Sequence, residues 1–190
     1  MWKLYTASTH TFEVLDLEHP KVSADILGDI RAGTEVYYDR RWQASERLCA
    51  WLLENPGLLK GKRVLVLGCG VGLESLAACA LSAHVHLNDL SPVALRLSAA
   101  QLERNGLSNY DLLPGPYEAL ELPPIDLALG SFLIYNKNTR TAMQTLLAKT
   151  SVPVWVCNDT MPAFTKLLKQ TGRQVEMLVR WEDAVCLALR

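Results

Sequence analysis

From Lys62 onward, short apolar runs alternate with longer segments of helical periodicity. The run at 63–67 is apolar after its first residue, which is typical of a strand buried on both faces. An Ala- and Leu-rich segment at 73–81 follows it and indicates a helix. The same alternation predicts further strands at 84–88, 111–113, 125–129, 152–157, 175–179 and 184–189, and helices at 92–105, 139–148 and 163–170.

This alternation of strands and helices predicts a doubly wound α/β fold, because parallel neighbouring strands are joined by right-handed helical crossovers. The last two predicted strands, 175–179 and 184–189, are separated by a link too short for a crossover. We therefore expect a mostly parallel sheet of about seven strands that ends in an antiparallel strand.

The first forty residues follow a different pattern. Residues 11–17 alternate apolar and polar positions in the manner of a half-exposed strand, which Pro20 is expected to end. A helix is predicted over 44–53 and stopped by the Asn-Pro-Gly sequence at 55–57. We divide the chain into an N-terminal extension, 1–40, that caps the sheet edge or the cleft, and a main domain, 41–190.

Composition and charge narrow the function classes. The length of 190 residues predicts a single domain. No apolar run reaches the roughly 18 residues that a membrane span needs, so we expect none. The first residues lack the apolar core of a secretory signal. The net charge of −1 supplies no general field for nucleic acid, so protein or small-molecule partners are expected. Five cysteines without a C-x-x-C pair predict a reducing, cytoplasmic location, with neither disulfides nor a bound metal.

A glycine-rich loop and an acidic residue carry the candidate chemistry. Gly68, Gly70 and Gly72 separate the strand at 63–67 from the next helix, where backbone N–H groups can approach a ligand closely. The spacing G-x-G-x-G displaces the third glycine of the dinucleotide fingerprint G-x-G-x-x-G, which disfavours a nicotinamide-dependent oxidoreductase. Asp89 ends the second strand of this unit, where it can accept both hydrogen bonds of a ribose diol. Alternatively, Asp89 caps the following helix and the glycines only form a turn.

These residues resemble the seven-strand class I methyltransferases, which use S-adenosylmethionine. The segments 41–45, 64–73, 88–89 and 129–135 are similar in particular to the family 16 lysine methyltransferases. The resemblance implies an α/β methyltransferase fold, S-adenosylmethionine as cofactor and the side-chain amine of a protein lysine as acceptor. We expect a monomer or weak dimer.

The resemblance also suggests roles for individual residues. Those implied to hold the cofactor are Trp42, Gly68, Cys69, Gly70, Gly72, Asp89, Leu90, Tyr117 and Ser131. Tyr135 is implied to face the acceptor. Asn136 and Asp159 are added as catalytic candidates because they follow predicted strands and could orient the acceptor or take its proton.

Two departures from the family pattern leave alternatives open. Val66 stands where the family usually has an acidic residue, and Phe132 stands at the Asp position of its Asp-x-x-Tyr motif. The chain could therefore be an active protein methyltransferase, a small-molecule N-methyltransferase, or a module that binds S-adenosylmethionine without transferring the methyl group. The Asn/Asp-Pro-Pro-aromatic motif of enzymes that methylate adenine or glutamine is absent after the strand at 125–129, which argues against a nucleic-acid base as acceptor.

Overall fold

The computed structural model of the protein describes residues 1–82, 84–159, 170 and 172–190. The strands are β1 (Trp2–Ala7), β2 (His10–Leu15), β3 (Arg63–Val66), β4 (His84–Asp89), β5 (Tyr110–Pro114), β6 (Leu127–Ser131), β7 (Val154–Asp159), β8 (Val175–Arg180) and β9 (Ala184–Leu189). The helices are α1 (Pro20–Arg31), α2 (Gln43–Glu54), α3 (Leu73–Leu81), α4 (Pro92–Arg104) and α5 (Lys137–Lys149). The helix expected at 163–170 falls almost wholly outside the described residues.

Seven strands form the main sheet in the order β5-β4-β3-β6-β7-β9-β8. Strands β3 to β7 pair in parallel, whereas β9 runs antiparallel to both β7 and β8. The predicted doubly wound α/β fold with an antiparallel C-terminal strand is confirmed. Among the described residues, no helix is long and apolar enough to cross a membrane.

Strand β3 shows why a continuous apolar run becomes a central strand. Val64 and Val66 pack into the apolar cluster on the side of α2 and α3, and Leu65 and Leu67 pack into the cluster on the side of α5. All four side chains are fully buried. Since burying one such side chain stabilises a fold by about 1.5–3 kcal/mol, both faces of β3 hold the three layers together.

In the N-terminal region the structure differs from the sequence-based prediction. Residues Trp2–Leu15 form a two-stranded hairpin rather than a single strand, and Pro20 begins α1 instead of only ending a strand. Proline is compatible with the first helical turn because it needs no N–H partner there. His19 caps this helix, since its Nδ1 accepts a hydrogen bond from the Lys21 backbone N–H at 3.3 Å.

The hairpin is attached to the main domain through side chains of α4 and the residue that follows it. Asn105 pairs with both backbone groups of Glu13: its Oδ1 accepts the N–H at 2.9 Å, and its Nδ2 donates to the carbonyl at 2.8 Å. The buried Gln101 accepts the N–H of Leu15 at 2.9 Å. Polar side chains of the main domain thereby pair with the free edge of β2 at Glu13 and Leu15.

Candidate active site

A cavity of about 290 Å³ opens at the carboxyl ends of β3, β4 and β6. Open α/β sheets bind ligands at this position, beside the strand where the chain order reverses. Its fourth side is formed by residues 32–42, the irregular segment that joins α1 to α2. The sequence-predicted residues that line it are Trp42, Gly68, Cys69, Gly70, Gly72, Asp89, Leu90, Tyr117, Ser131, Tyr135 and Asn136.

The glycine loop, residues 68–72, needs glycine for two different physical reasons. Gly68 and Gly70 have φ angles of 52° and 48°, a backbone conformation that side chains disfavour. At Gly72 a Cβ atom would lie 2.9 Å from the carbonyl oxygen of Cys69 and closer still to the carboxylate of Glu74. The loop therefore presents bare backbone to the cavity at the start of α3.

Asp89 is anchored from two sides. Its Oδ2 accepts the N–H of Gly70 at 2.8 Å and its Oδ1 accepts the N–H of Ser91 at 2.9 Å. Burial raises the pKa of Asp89, and these backbone N–H groups act in the opposite direction. The side-chain cap of α4 comes from the Ser91 hydroxyl, which accepts the N–H of Ala94. A carboxylate has about four acceptor positions, so Asp89 retains capacity for a ligand diol.

Glu74 is a buried carboxylate that the sequence analysis missed. It accepts hydrogen bonds from the hydroxyls of Ser45 and Ser131, the latter at 2.5 Å, and its side chain lines the cavity. The residue is 1% exposed. The sequence did contain one indication of this site: Glu74 is the only charged residue in a helix otherwise made of Ala, Leu, Ser and Cys. Its partners come from α2 and β6, so no local spacing could have identified the cluster.

Four of the residues that line the cavity have aromatic rings that form one aromatic wall: Tyr37, Trp42, Phe132 and Tyr135. The rings of Trp42 and Phe132 stack with centroids 4.0 Å apart, and those of Phe132 and Tyr135 are 5.6 Å apart and nearly parallel. Tyr37 tilts against Tyr135 at 4.7 Å, and its carbonyl accepts the indole N–H of Trp42 at 2.6 Å. The Arg40 guanidinium lies 5.4 Å from the Trp42 ring centroid, a cation–π contact.

Phe132 has a φ angle of 53°, in the left-handed region. This conformation favours Gly, Asn and Asp, whereas a bulky residue held in it costs about 1–3 kcal/mol. Its backbone N–H donates to the carbonyl of Cys157 at 2.8 Å, which fixes the turn. The backbone here thus has the form suited to the family's Asp, but an aromatic ring replaces the carboxylate.

Two other predicted residues make structural contacts at the cavity rim. Tyr117, in the 3₁₀ turn Tyr117–Ala119, donates its hydroxyl to the carbonyl of Thr139 at 3.2 Å. Asn136 caps α5, since its Oδ1 accepts the N–H of Thr139 at 2.9 Å and Thr139 completes the capping box. The amide oxygen of Asn136 is therefore already engaged within the protein.

Asp159 lies apart from the other predicted residues. It ends β7 beside the start of α2 and is not among the residues that line the cavity. Burial and the neighbouring carboxylate of Asp183 raise the pKa of Asp159, whereas a backbone hydrogen bond with Ala44 lowers it. The structure therefore places Asp159 with α2 and the β8–β9 link rather than with Tyr135.

Comparison with solved structures identifies the architecture. Magnesium protoporphyrin IX methyltransferase (ChlM) from Synechocystis PCC 6803, solved with bound S-adenosylmethionine, superposes with a TM-score of 0.59 at 20% identity. The similarity covers 87% of this chain and 83% of that one. The fold is that of the seven-strand methyltransferases. At this identity the likeness establishes the fold alone.

Curated relatives agree with the expected resemblance. The human electron transfer flavoprotein beta subunit lysine methyltransferase is 28% identical over 122 residues, 64% of this chain and 47% of that protein. The protein N-lysine methyltransferase METTL21A of Danio rerio is 36% identical over 116 residues, 55% of this chain and 52% of that protein. The chain spans about half the length of these relatives. No protein-family model matches it.

Proposed function

We propose that this methyltransferase-fold protein transfers a methyl group from S-adenosylmethionine to the side-chain amine of a lysine in another protein. The observation that carries the proposal is that the glycine loop, Asp89 and the aromatic wall all line one cavity. One side of this cavity suits an adenosyl cofactor, and the other suits an amine. The similarity to lysine methyltransferases supports the choice of lysine.

The residues present fit the cofactor. The glycine loop presents bare backbone to the cavity, and a Cβ atom at Gly72 would displace the carboxylate of Glu74 that lines it. Asp89 would accept the ribose hydroxyls, and Tyr117 would lie beside the adenine. Glu74, with its carboxylate buried at the cavity, would balance the positive charge of the amino-acid part. When bound, S-adenosylmethionine supplies an electrophilic methyl group on a sulfonium.

The aromatic wall provides what an amine acceptor requires. A lysine amine has an ordinary pKa of about 10.4 and must lose a proton before it can act as a nucleophile. Aromatic faces attract the ammonium form, and a dry site lowers its pKa. Holding the free amine in line with the methyl group then accounts for the rate, since proximity alone can supply several kcal/mol.

Phe132 favours a second candidate function, that of a module which binds the adenosyl cofactor without transferring its methyl group. In this chain the stacked rings of Trp42 and Phe132 replace the carboxylate that the resemblance associates with lysine handling. A module of this kind would bind both S-adenosylmethionine and S-adenosylhomocysteine and turn over neither. A further alternative is a small-molecule N-methyltransferase. Its transfer chemistry would be the same, and only the amine that binds at the aromatic wall would differ.

We also propose that the protein works in a reducing compartment such as the cytoplasm. All five cysteines are buried and free, including Cys157 and Cys186, which face each other across the β7–β9 pair. Burial raises the pKa of Cys79 to about 12, which keeps its thiol protonated and unreactive.

Calorimetric titration of the purified chain with S-adenosylmethionine, S-adenosylhomocysteine and NAD tests the cofactor assignment. We expect both adenosyl compounds to bind and NAD to give no heat, with Asp89→Ala as the control that weakens binding. Absence of binding by both adenosyl compounds would refute the proposal.

The acceptor is tested with a cofactor carrying an isotopically labelled methyl group. The wild-type chain and Asp89→Ala are each incubated with cell lysate, and methyl-lysine is sought by mass spectrometry of digested proteins. Labelled lysine that depends on Asp89 supports the proposed function. Binding without any labelled product favours the module, and label only in small molecules favours the N-methyltransferase alternative.

A further inference from the structure

Two histidines and an aspartate meet on the sheet face near the starts of β4 and β5. His84 and His86 are two residues apart on β4, so their side chains lie on the same face, and Asp111 is the register partner of His86 on β5. Nε2 of His84 lies 2.8 Å from Oδ2 of Asp111, and Nδ1 of His86 lies 3.6 Å from the same oxygen. The three ligand atoms all lie within 4.8 Å of one another.

His86 gives an independent indication of a ligand. Its side chain is 12% exposed, and its Nδ1 is a buried atom without a hydrogen-bond partner among the described residues. Such an atom costs about 1–3 kcal/mol unless something pairs with it. On the opposite face of β4, Val85 and Leu87 are fully buried and fix the orientation of the strand. The packing of β4 therefore holds the imidazole in place, and Oδ2 of Asp111, at 3.6 Å, lies beyond hydrogen-bond distance from its Nδ1.

We propose that His84, His86 and Asp111 bind a zinc ion, with water completing a tetrahedral site. Two imidazoles and one carboxylate are ligands that zinc accepts, and three protein ligands leave an open position. Bonds of about 2.0–2.1 Å separate tetrahedral ligands by about 3.3 Å, so the observed distances need only small side-chain movements. Cysteine spacing gave no sign of a metal, because this site contains no cysteine.

A positive charge close to the site is already compensated. Arg63 is the register partner of His84 on β3, and its guanidinium would oppose a cation. It forms a bidentate pair with Asp126, with Nη2 3.2 Å from Oδ1 and Nε 3.3 Å from Oδ2. The carboxylate of Asp111 remains as the negative group that faces the two imidazoles.

The zinc would connect the edge strand β5 to its neighbour. His84 begins β4 and Asp89 ends it, so five steps of about 3.3 Å separate the outer end of the site from the cavity by roughly 16 Å. This distance removes the ion from methyl transfer. At the sheet edge, the zinc would stabilise the pairing of β5 with β4, and β5 leads into the turn that carries Tyr117.

The test is titration of the full, chelator-treated chain with zinc sulfate, followed by calorimetry and thermal unfolding. One equivalent should bind, and free zinc at about 100 times the Kd should raise the Tm by roughly 5–10 °C. His84→Gln and His86→Gln should remove this binding. Asp111→Asn, which alters an exposed side chain, should weaken it more than about tenfold, since even outer-sphere partners are worth 10–100-fold.

His10→Gln is the matched control, because it changes a histidine of the N-terminal hairpin and should leave the titration unaltered. Cobalt substitution distinguishes nitrogen and oxygen ligands from thiolates by the absence of sulfur charge-transfer absorption. No saturable binding by the wild type, binding that survives both Asp111→Asn and His84→Gln, or a thiolate spectrum would each overturn the proposal. None of these measurements requires the methyl donor, so their outcome is separate from that of the proposed methyl transfer.

Discussion

At the scale of single residues, we expect protonation of Asp89 to be coupled to the proposed cofactor binding. Its carboxylate is held by the N–H groups of Gly70 and Ser91, and burial raises its pKa above 3.8. The folded chain therefore takes up this proton more readily than the unfolded chain does. By itself, this group favours folding most at acidic pH, and its contribution declines as the pH rises from 3.8 through the raised pKa.

Affinity for S-adenosylhomocysteine should fall as the pH is lowered from neutral. Because the pKa of Asp89 is raised, this loss of affinity should begin at a higher pH than it would if the ligand were bound by an exposed aspartate. Protonation removes a charged acceptor, and hydrogen bonds to charged groups contribute about 1.5–3 kcal/mol, or roughly ten- to a hundredfold in affinity. Asp89→Asn should bind more weakly at neutral pH and lose this pH dependence. Calorimetric titrations of the wild type and the variant at a series of pH values check both expectations. An identical pH profile of affinity for the variant would contradict the role of Asp89 in binding the ribose.

Glu74→Gln tests the buried carboxylate while preserving its size. We expect the affinity for S-adenosylmethionine and S-adenosylhomocysteine to fall together, by about tenfold, because both carry the amino group that Glu74 is proposed to balance. Calorimetric titration of both compounds measures this. Ser131→Ala, which removes a hydroxyl donor and leaves the charge, should have the smaller effect. Unchanged affinity in Glu74→Gln would mean that the carboxylate only connects α2, α3 and β6.

Phe132→Asn tests the aromatic wall without disturbing its backbone, because Asn tolerates the φ of 53°. Removing the ring should raise the KM for an amine acceptor by about two- to thirtyfold, the range of a cation–π contact, and leave cofactor affinity unchanged. Tyr135→Phe is the matched control because it keeps a ring at the wall. Steady-state kinetics decide the point, and an unchanged KM in Phe132→Asn would exclude Phe132 from acceptor binding.

At the scale of elements, the sequence was most informative where an element is fixed by its own pattern. The run at 63–67 became β3, the segment 73–81 became α3, and the segment 92–105 became α4. The strand predicted at 11–17 corresponds to β2, but its partner β1 was missed. Helix α1 was missed because Pro20 has the same appearance whether it ends a strand or begins a helix. The position of the hairpin depends on Gln101 and Asn105, which are more than 80 residues away in sequence.

Gln101→Ala should reduce the free energy of unfolding by about 1–3 kcal/mol, because the buried N–H of Leu15 would lose its acceptor. Arg104→Ala provides the control on the same helix. It breaks an exposed pair with Glu13, in which the side chains are 49% and 38% exposed, and should cost less than about 1 kcal/mol. Chemical denaturation compares the two, and equal losses would show that the Gln101 contact does not attach the hairpin.

At the scale of the whole molecule, the site could be predicted in part. The glycine loop and Asp89 follow each other in one β-loop-α-β unit, so local order was sufficient to bring them together. The cluster of Glu74 with Ser45 and Ser131 joins residues 29 and 57 positions apart and required the folded sheet. Asp159 ends β7 at the same edge of the sheet but is not among the residues that line the cavity, because the end of a strand fixes the sheet edge and not the neighbours of a side chain.

The segment 32–42 has a consequence for the order of events in turnover. It contributes Tyr38, which packs against Gly70 beside the proposed cofactor site, and it also contributes Tyr37 and Trp42 to the wall at which we propose that the acceptor binds. An acceptor bound at that wall will hold the segment down and delay the exit of the spent cofactor. We expect an ordered sequence in which the donor enters first and leaves last. Initial-rate measurements should show S-adenosylhomocysteine competing with the donor but not with the acceptor, and random-order kinetics would contradict this.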